Sequence, residues 1–113
     1  MKVIVPDMAH ESIDSLFEYL AIYSSRNAIQ IIQKIYEYIY DLGDMPYLGK
    51  TFAELPDKHF RELLYKKNRN VFRIIYFISE ETDSIFIIYV SSCKQDFNRI
   101  LKIHNYFNNF FKL

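Results

Sequence analysis

The sequence predicts an α+β domain in which an N-terminal helical hairpin packs on a small, mainly antiparallel sheet, with a C-terminal helix after the last strand. Three observations predict it. Apolar residues between Ile13 and Leu42 recur at helical spacing in two blocks, parted only by Ser24 and Ser25. Three apolar runs then follow between Phe60 and Val90, separated by two short polar turns. From Gln95 onward the spacing is helical again.

Taken in order, Lys2 to Val5 reads as a short first strand, and Pro6 and Asp7 punctuate it. Asp7 is expected to be the N-cap of helix 1, because its carboxylate can accept from the free amides of the first turn. Ile13, Leu16, Phe17, Leu20 and Tyr23 form that helix's buried stripe. Ser24 or Ser25 should cap helix 2, whose stripe is Ala28, Ile31, Ile32, Ile35, Ile39 and Leu42. Gly43 is expected to end it with a positive φ. So short a connection makes the two helices antiparallel neighbours. Residues 43–59 hold both glycines and two of the three prolines, and read as a loop. Residues 60–65, 71–78 and 85–90 read as strands, rich in Ile, Val, Phe and Tyr, with a basic turn at 66–70 and an acidic turn at 79–84. The near-continuous apolar run at 85–90 suits an interior strand. The tail, with Phe97, Ile100, Leu101, Ile103, Tyr106, Phe107, Phe110 and Phe111, reads as the last helix.

Composition bounds the function. At 113 residues the chain, 1–113, is one domain, and half its residues are hydrophobic, enough for a core. Two glycines and three prolines argue against a disordered chain. The single cysteine, Cys93, excludes an internal disulfide and suits a reducing compartment. The N-terminal apolar run is too short for a signal peptide, and none approaches the roughly 20 residues that span a bilayer. A cytoplasmic protein with no membrane contact is expected. Metal-ligand spacings and Gly-rich phosphate loops are lacking, so no cofactor and no metal are expected. The net charge is zero, but residues 1–54 carry four Lys/Arg against eight acids, and residues 55–113 carry ten against six. An acidic partner or a phosphate backbone would favour the second half.

Arg73 is the most pointed residue, a charge inside the middle apolar run. Such a charge is costly unless it is paired or lies on a face left open for function. If the turn pairs Tyr65 with Val71, Leu63 faces Arg73 and Arg61 is its diagonal neighbour, giving an anion site. A one-residue slip puts Glu62 opposite Arg73, giving a structural ion pair. Lys66, Lys67 and Arg69 could touch nucleic acid or simply be solvated. Of the histidines, His10, His59 and His104, only His59 is close to Arg61. Cys93 has no base beside it in the chain, so an inert thiol is expected. Most of the tyrosines should belong to the core or its edge.

The segments Pro46-Tyr47-Leu48-Gly49-Lys50, Arg61-Glu62-Leu63 and Phe72-Arg73-Ile74-Ile75-Tyr76, with Val90 to Asp96 as strand ending, occur in the order found in one toxin superfamily. They look like P-x-x-G-[RK], R-x-L, aromatic-R-I-x-Y and V-x-H-x-R-R-D. On these motifs and the element order, roughly residues 2–97 resemble the RelE/ParE superfamily of type II toxin–antitoxin toxins. The ending departs from the pattern: Ser92 stands at the histidine, Lys94 and Gln95 at the arginine pair, and Asp96 is kept.

The resemblance implies growth arrest by inhibition of an essential nucleic-acid machine, and neutralisation by a cognate antitoxin in a hetero-oligomer. Lacking a full acid/base set, the chain looks more like the ParE branch, which poisons DNA gyrase. The alternatives are a metal-independent, ribosome-dependent mRNA endoribonuclease like RelE, or an inactive relative that only binds its antitoxin. In the ribonuclease case Arg73 and Arg61 would hold phosphate, with Lys94 or Glu54 in proton transfer. Phosphate- or target-binding candidates are Arg61, Arg73, Lys66, Lys67, Arg69 and Lys94. Antitoxin-binding candidates are Arg73 and the tail residues Phe107, Phe110 and Phe111.

Overall fold

The computed structural model describes residues 1–55 and 57–94. Its elements are β1 (Lys2–Ile4), α1 (Asp7–Ala21), α2 (Ser25–Asp41), β2 (Lys50–Thr51), β3 (Phe60–Lys67), β4 (Asn70–Ser79) and β5 (Ser84–Ser92). The strands form one sheet in the order β1-β5-β4-β3-β2. β1 runs parallel to β5, and the other pairs are antiparallel. The expected α+β layout with two N-terminal helices on the sheet is therefore present. The expected C-terminal helix, with Phe107, Phe110 and Phe111, lies outside the described residues.

The helices cover one face of the sheet. Ala9, Ile13 and Leu16 of α1 and Ile31, Ile35 and Ile39 of α2 join Phe72, Ile74, Tyr76, Ile78, Ile85, Ile87 and Val90 in one buried cluster. Alternate residues of the same strands point the other way. There Ile75 and Ile88 meet Phe52, Leu55 and Phe60 in a second, smaller cluster edged by Phe77, Phe86 and Tyr89. The ladder slips between Ile75, opposite Tyr89, and Tyr76, opposite Ile87, so Ile88 is the extra residue of a bulge. The bulge explains why β5 reads as continuous apolar sequence. It lets both Ile87 and Val90 face the helices although they are three residues apart. β5 is interior, as expected, between β1 and β4.

Helix boundaries follow the sequence with two corrections. Pro6, not Asp7, is the N-cap of α1, and it makes no side-chain cap. Its carbonyl accepts from Ala9 and His10 (2.9 and 3.1 Å), and Asp7 is the first helical residue. Its carboxylate there acts on the first-turn N–H groups through the helix dipole. Gly43 does not have a positive φ. Its need for glycine is spatial, because a Cβ would sit 2.9 Å from the Met1 carbonyl oxygen and 3.2 Å from Val3. Ser24 caps α2 as expected, its hydroxyl accepting from the Asn27 amide at 3.2 Å. Replacing Ser24 with Ala should cost about 1 kcal/mol by loss of that cap, read as a lower midpoint in thermal unfolding.

The turns are tighter than the sequence suggests. Lys67 pairs with Asn70, so only Asn68 and Arg69 connect β3 to β4. Asn68 takes a φ of 57°, a left-handed conformation that Asn tolerates better than most residues. Lys66 and Lys67 thus belong to a strand, not to a basic turn. β2 is a strand the sequence did not disclose, since two residues carry no alternation to read.

Candidate functional site

The register of β3 on β4 decides what Arg73 does. Leu64 lies opposite Arg73, Leu63 opposite Ile74 and Arg61 opposite Tyr76. Neither register weighed from the sequence is the observed one. The two-residue turn shifts the ladder so that Glu62 becomes the diagonal neighbour of Arg73 on the outer face. Arg73 Nε stands 3.1 Å from Glu62 Oε2, with the side chains 19% and 12% exposed. The guanidinium also lies over the buried Phe52 ring, 5.4 Å from its centroid. The ion contact is close but poorly aligned, and neither of these two atoms makes a hydrogen bond. Burial accordingly outweighs Arg73 and pushes the Glu62 carboxyl above its ordinary range, with help from nearby Glu54. The structure therefore brings Glu54 close to the Glu62–Arg73 pair.

Arg61 stands on the other face. Its Nε and Nη2 both donate to the Gly49 carbonyl, the first at 3.0 Å, and its guanidinium lies 5.3 Å from the Tyr47 ring centroid. The anion site shared by Arg61 and Arg73 does not exist, because adjacent pleats send the two side chains to opposite faces. Tyr76 completes the Arg61 side. Its hydroxyl donates to the Pro46 carbonyl (2.8 Å) and accepts from the Gly49 amide (3.0 Å). Burial pushes this phenol above its usual range, against the opposing pull of Gly49 and Arg61. The Pro-Tyr-Leu-Gly-Lys segment is thus tied to β3 and β4 by two side chains, Arg61 and Tyr76. Tyr76→Phe should cost about 2 kcal/mol by chemical denaturation, since it strands the buried Gly49 amide.

Tyr47 extends this cluster outward. It donates to Glu80 Oε1 at 2.7 Å, which raises its phenol above the ordinary range. Tyr47, Thr51, Lys58, His59, Arg61 and Glu80 line a cleft of about 350 Å³ at the end of β3 and β4 far from the Asn68 turn. His59 Nδ1 contacts Asp57 Oδ1 at 2.7 Å, and the same oxygen accepts from the His59 amide at 2.9 Å. The sequence pointed to His59 for its nearness to Arg61, but Tyr47, Tyr76, Glu80 and Gly49 were missed as a unit. A tyrosine in a buried strand needing a hydroxyl partner was the one available signal.

The remaining candidates are dispersed. Lys94 follows β5, where its Nζ donates to Asn70 at 3.3 Å. Lys67 Nζ donates to Gln30 at 3.3 Å, while Lys66 and Arg69 are exposed near the turn. Cys93 is an exposed free thiol. His10 meets the Tyr36 hydroxyl at 2.8 Å, between the helices. Among the described residues no group of three His, Cys, Asp or Glu could hold a metal ion, and no helix is long and apolar enough to cross a membrane.

A helical hairpin on a five-stranded sheet, an arginine on the outer face of its middle strand, and a Pro-x-x-Gly-Lys segment clamped by β3 hold the motifs that resemble the RelE/ParE superfamily. The family described as "ParE toxin of type II toxin-antitoxin system, parDE" matches residues 3–97, and the chain belongs to it. It is thus a toxin of the type II toxin–antitoxin class. Among solved structures it is similar to the chromosomal ParDE TA system from P. aeruginosa, with a TM-score of 0.64 and 18% identity over 80% of this chain and 94% of that one. At that identity the likeness speaks for the fold. No curated protein sequence matches significantly.

Proposed function

We propose that this toxin arrests growth in the cytoplasm by inhibiting DNA gyrase through protein contact, not by cutting RNA, and that a cognate antitoxin binds and neutralises it. The observation that carries this reading is the separation of the two arginines. The ribonuclease site that the resemblance implies would need Arg61 and Arg73 to converge on one phosphate beside a proton donor and acceptor. Here Arg61 is engaged with Gly49 on one face and Arg73 with Glu62 on the other. The family match, to the toxin of a ParDE system, supports the same branch.

The test combines purified protein with DNA gyrase in a supercoiling assay, and maps mRNA 5′ ends after induced expression. Inhibited supercoiling with unchanged mRNA ends is the expected result. Codon-positioned new ends, with gyrase unaffected, would replace this reading with ribosome-dependent RNA cleavage. Absence of arrest would leave a binding-only relative. Co-purification with an antitoxin as a hetero-oligomer is expected whichever target is found.

A further inference from the structure

The cleft beside β2 takes no part in the Glu62–Arg73 contact, yet its chemistry is organised. Lys58 and His59 precede β3, Arg61 lies one turn of the pleat further on, and Tyr47, Thr51 and Glu80 close the other sides. Two permanent cations and an imidazole thus meet two carboxylates, Glu80 of the lining and Asp57, which holds the imidazole. Glu80 is exposed at the rim and already accepts from Tyr47.

Arg61 and His59 are held in place. Arg61 is fixed by two donations to the Gly49 carbonyl and by the Tyr47 ring. A guanidinium has five N–H donors, so the Gly49 carbonyl and the Tyr76 hydroxyl do not use them all. His59 is oriented by Asp57 and by the Phe77 ring, 5.5 Å between centroids. An ionised carboxylate only accepts, so His59 Nδ1 donates to Asp57, and Nε2 becomes a second donor when the ring is protonated. Lys58 adds an exposed charge, and Thr51 a hydroxyl.

We propose that this cleft binds a phosphate ester, with Lys58, His59 and Arg61 as its anion-binding residues. A terminal phosphate group offers about two negative charges and three strong acceptor oxygens, against one charge and two oxygens for the rim carboxylate Glu80. The volume of about 350 Å³ is in the range of small-ligand pockets and fits one nucleotide unit. The exposed Tyr47 ring at the rim provides a surface on which a base can stack. The source of the phosphate is either a free mononucleotide or one unit of a single strand. This inference does not rest on gyrase being the target.

The experiment is titration of the ¹⁵N-labelled full chain with inorganic phosphate, adenosine 5′-monophosphate, adenosine and a short single-stranded oligonucleotide, followed by amide shifts and calorimetry. Phosphate and the monophosphate should shift the amides of Thr51, His59 and Glu80, and adenosine should not. Lys58→Glu, at an exposed position, should leave the melting temperature unchanged and weaken binding at least about tenfold. His59→Ala should weaken it as well. Binding confined to the oligonucleotide, with the same Lys58→Glu loss, assigns the phosphate to a polymer and supports the site. Lack of binding by all four probes would overturn the proposal, as would binding that Lys58→Glu leaves untouched.

Discussion

Arg73→Ala will destabilise the protein by about 3 kcal/mol, because it leaves the Glu62 carboxylate mostly buried with only the exposed Lys50, opposite it on β2, as a positive neighbour. The figure is taken at the low end for broken buried pairs, since both side chains keep some exposure. Part of the loss is packing, as the guanidinium also covers Phe52. The pair itself is not strongly stabilising. Its contact is misaligned, and burial wins over attraction in setting the Glu62 carboxyl. Glu62→Leu combined with Arg73→Met should therefore restore stability to within about 1 kcal/mol of wild type, as apolar isosteres of buried pairs often do. Denaturant unfolding of the two singles and the double, as a cycle, measures this directly. A double variant as unstable as Arg73→Ala would show that the pair, and not its burial, holds the outer face.

The same pair sets a pH dependence. The folded carboxyl of Glu62 lies above its ordinary value of 4.5, so between those two values the folded state binds more protons than the unfolded state. Stability contributed by Glu62 is then highest at low pH and falls as pH rises from about 4.5 through the raised folded value. Glu62→Gln should remove that descending slope, and Arg73→Ala should extend it to higher pH. Thermal midpoints across pH 4 to pH 8 in roughly half-unit steps would display both changes.

Gly49→Ala is expected to have the other large effect, about 3 kcal/mol, at the upper end of overpacking costs. The position has no positive φ, so the reason is space alone. A Cβ would overlap the Glu62 carbonyl oxygen and sit 2.7 Å from the Tyr76 hydroxyl. The first obstacle is backbone, which cannot rotate aside. The second is the hydroxyl that bridges Pro46 and the Gly49 amide. Relief requires the 46–50 segment to lift from β3, which also breaks the Arg61 donations to the Gly49 carbonyl. Loss of the Arg61–Gly49 clamp should appear as faster hydrogen exchange at Gly49 and Thr51, with the α1–α2 hairpin unaffected. An Ala variant as stable as wild type, with those amides still protected, would disprove the close approach.

The elements of this fold were legible because their signals are local. Ile13 and Leu16, or Ile31, Ile35 and Ile39, recur at helical spacing, and the Ser24 cap announces α2 within a few residues. The strands at Phe60, Val71 and Ile85 likewise carry their own composition. The family motifs were legible in the same way, as short strings in a fixed order. Where the reading went astray, the missing information was nonlocal. Asp7 and Gly43 were assigned roles by residue type, but one was displaced by Pro6 and the other is constrained by the Met1 backbone folding over it.

The candidate site was less legible than the fold, and the two arginines show why. By itself the sequence determined that Arg73 would sit in a sheet and need a partner, since a charge in an apolar strand cannot stay unpaired at low cost. It could not determine the partner. That depended on a two-residue turn at Asn68, which set Leu64 opposite Arg73 and placed Glu62 on its diagonal. With a side-chain period of two, a single-residue change in register sends every side chain to the opposite face. The tertiary structure alone therefore decided that Arg61 would leave Arg73 and close on Gly49. It also decided that Tyr47, Lys58, His59 and Glu80, scattered through loops with no pattern to read, would meet around one cleft.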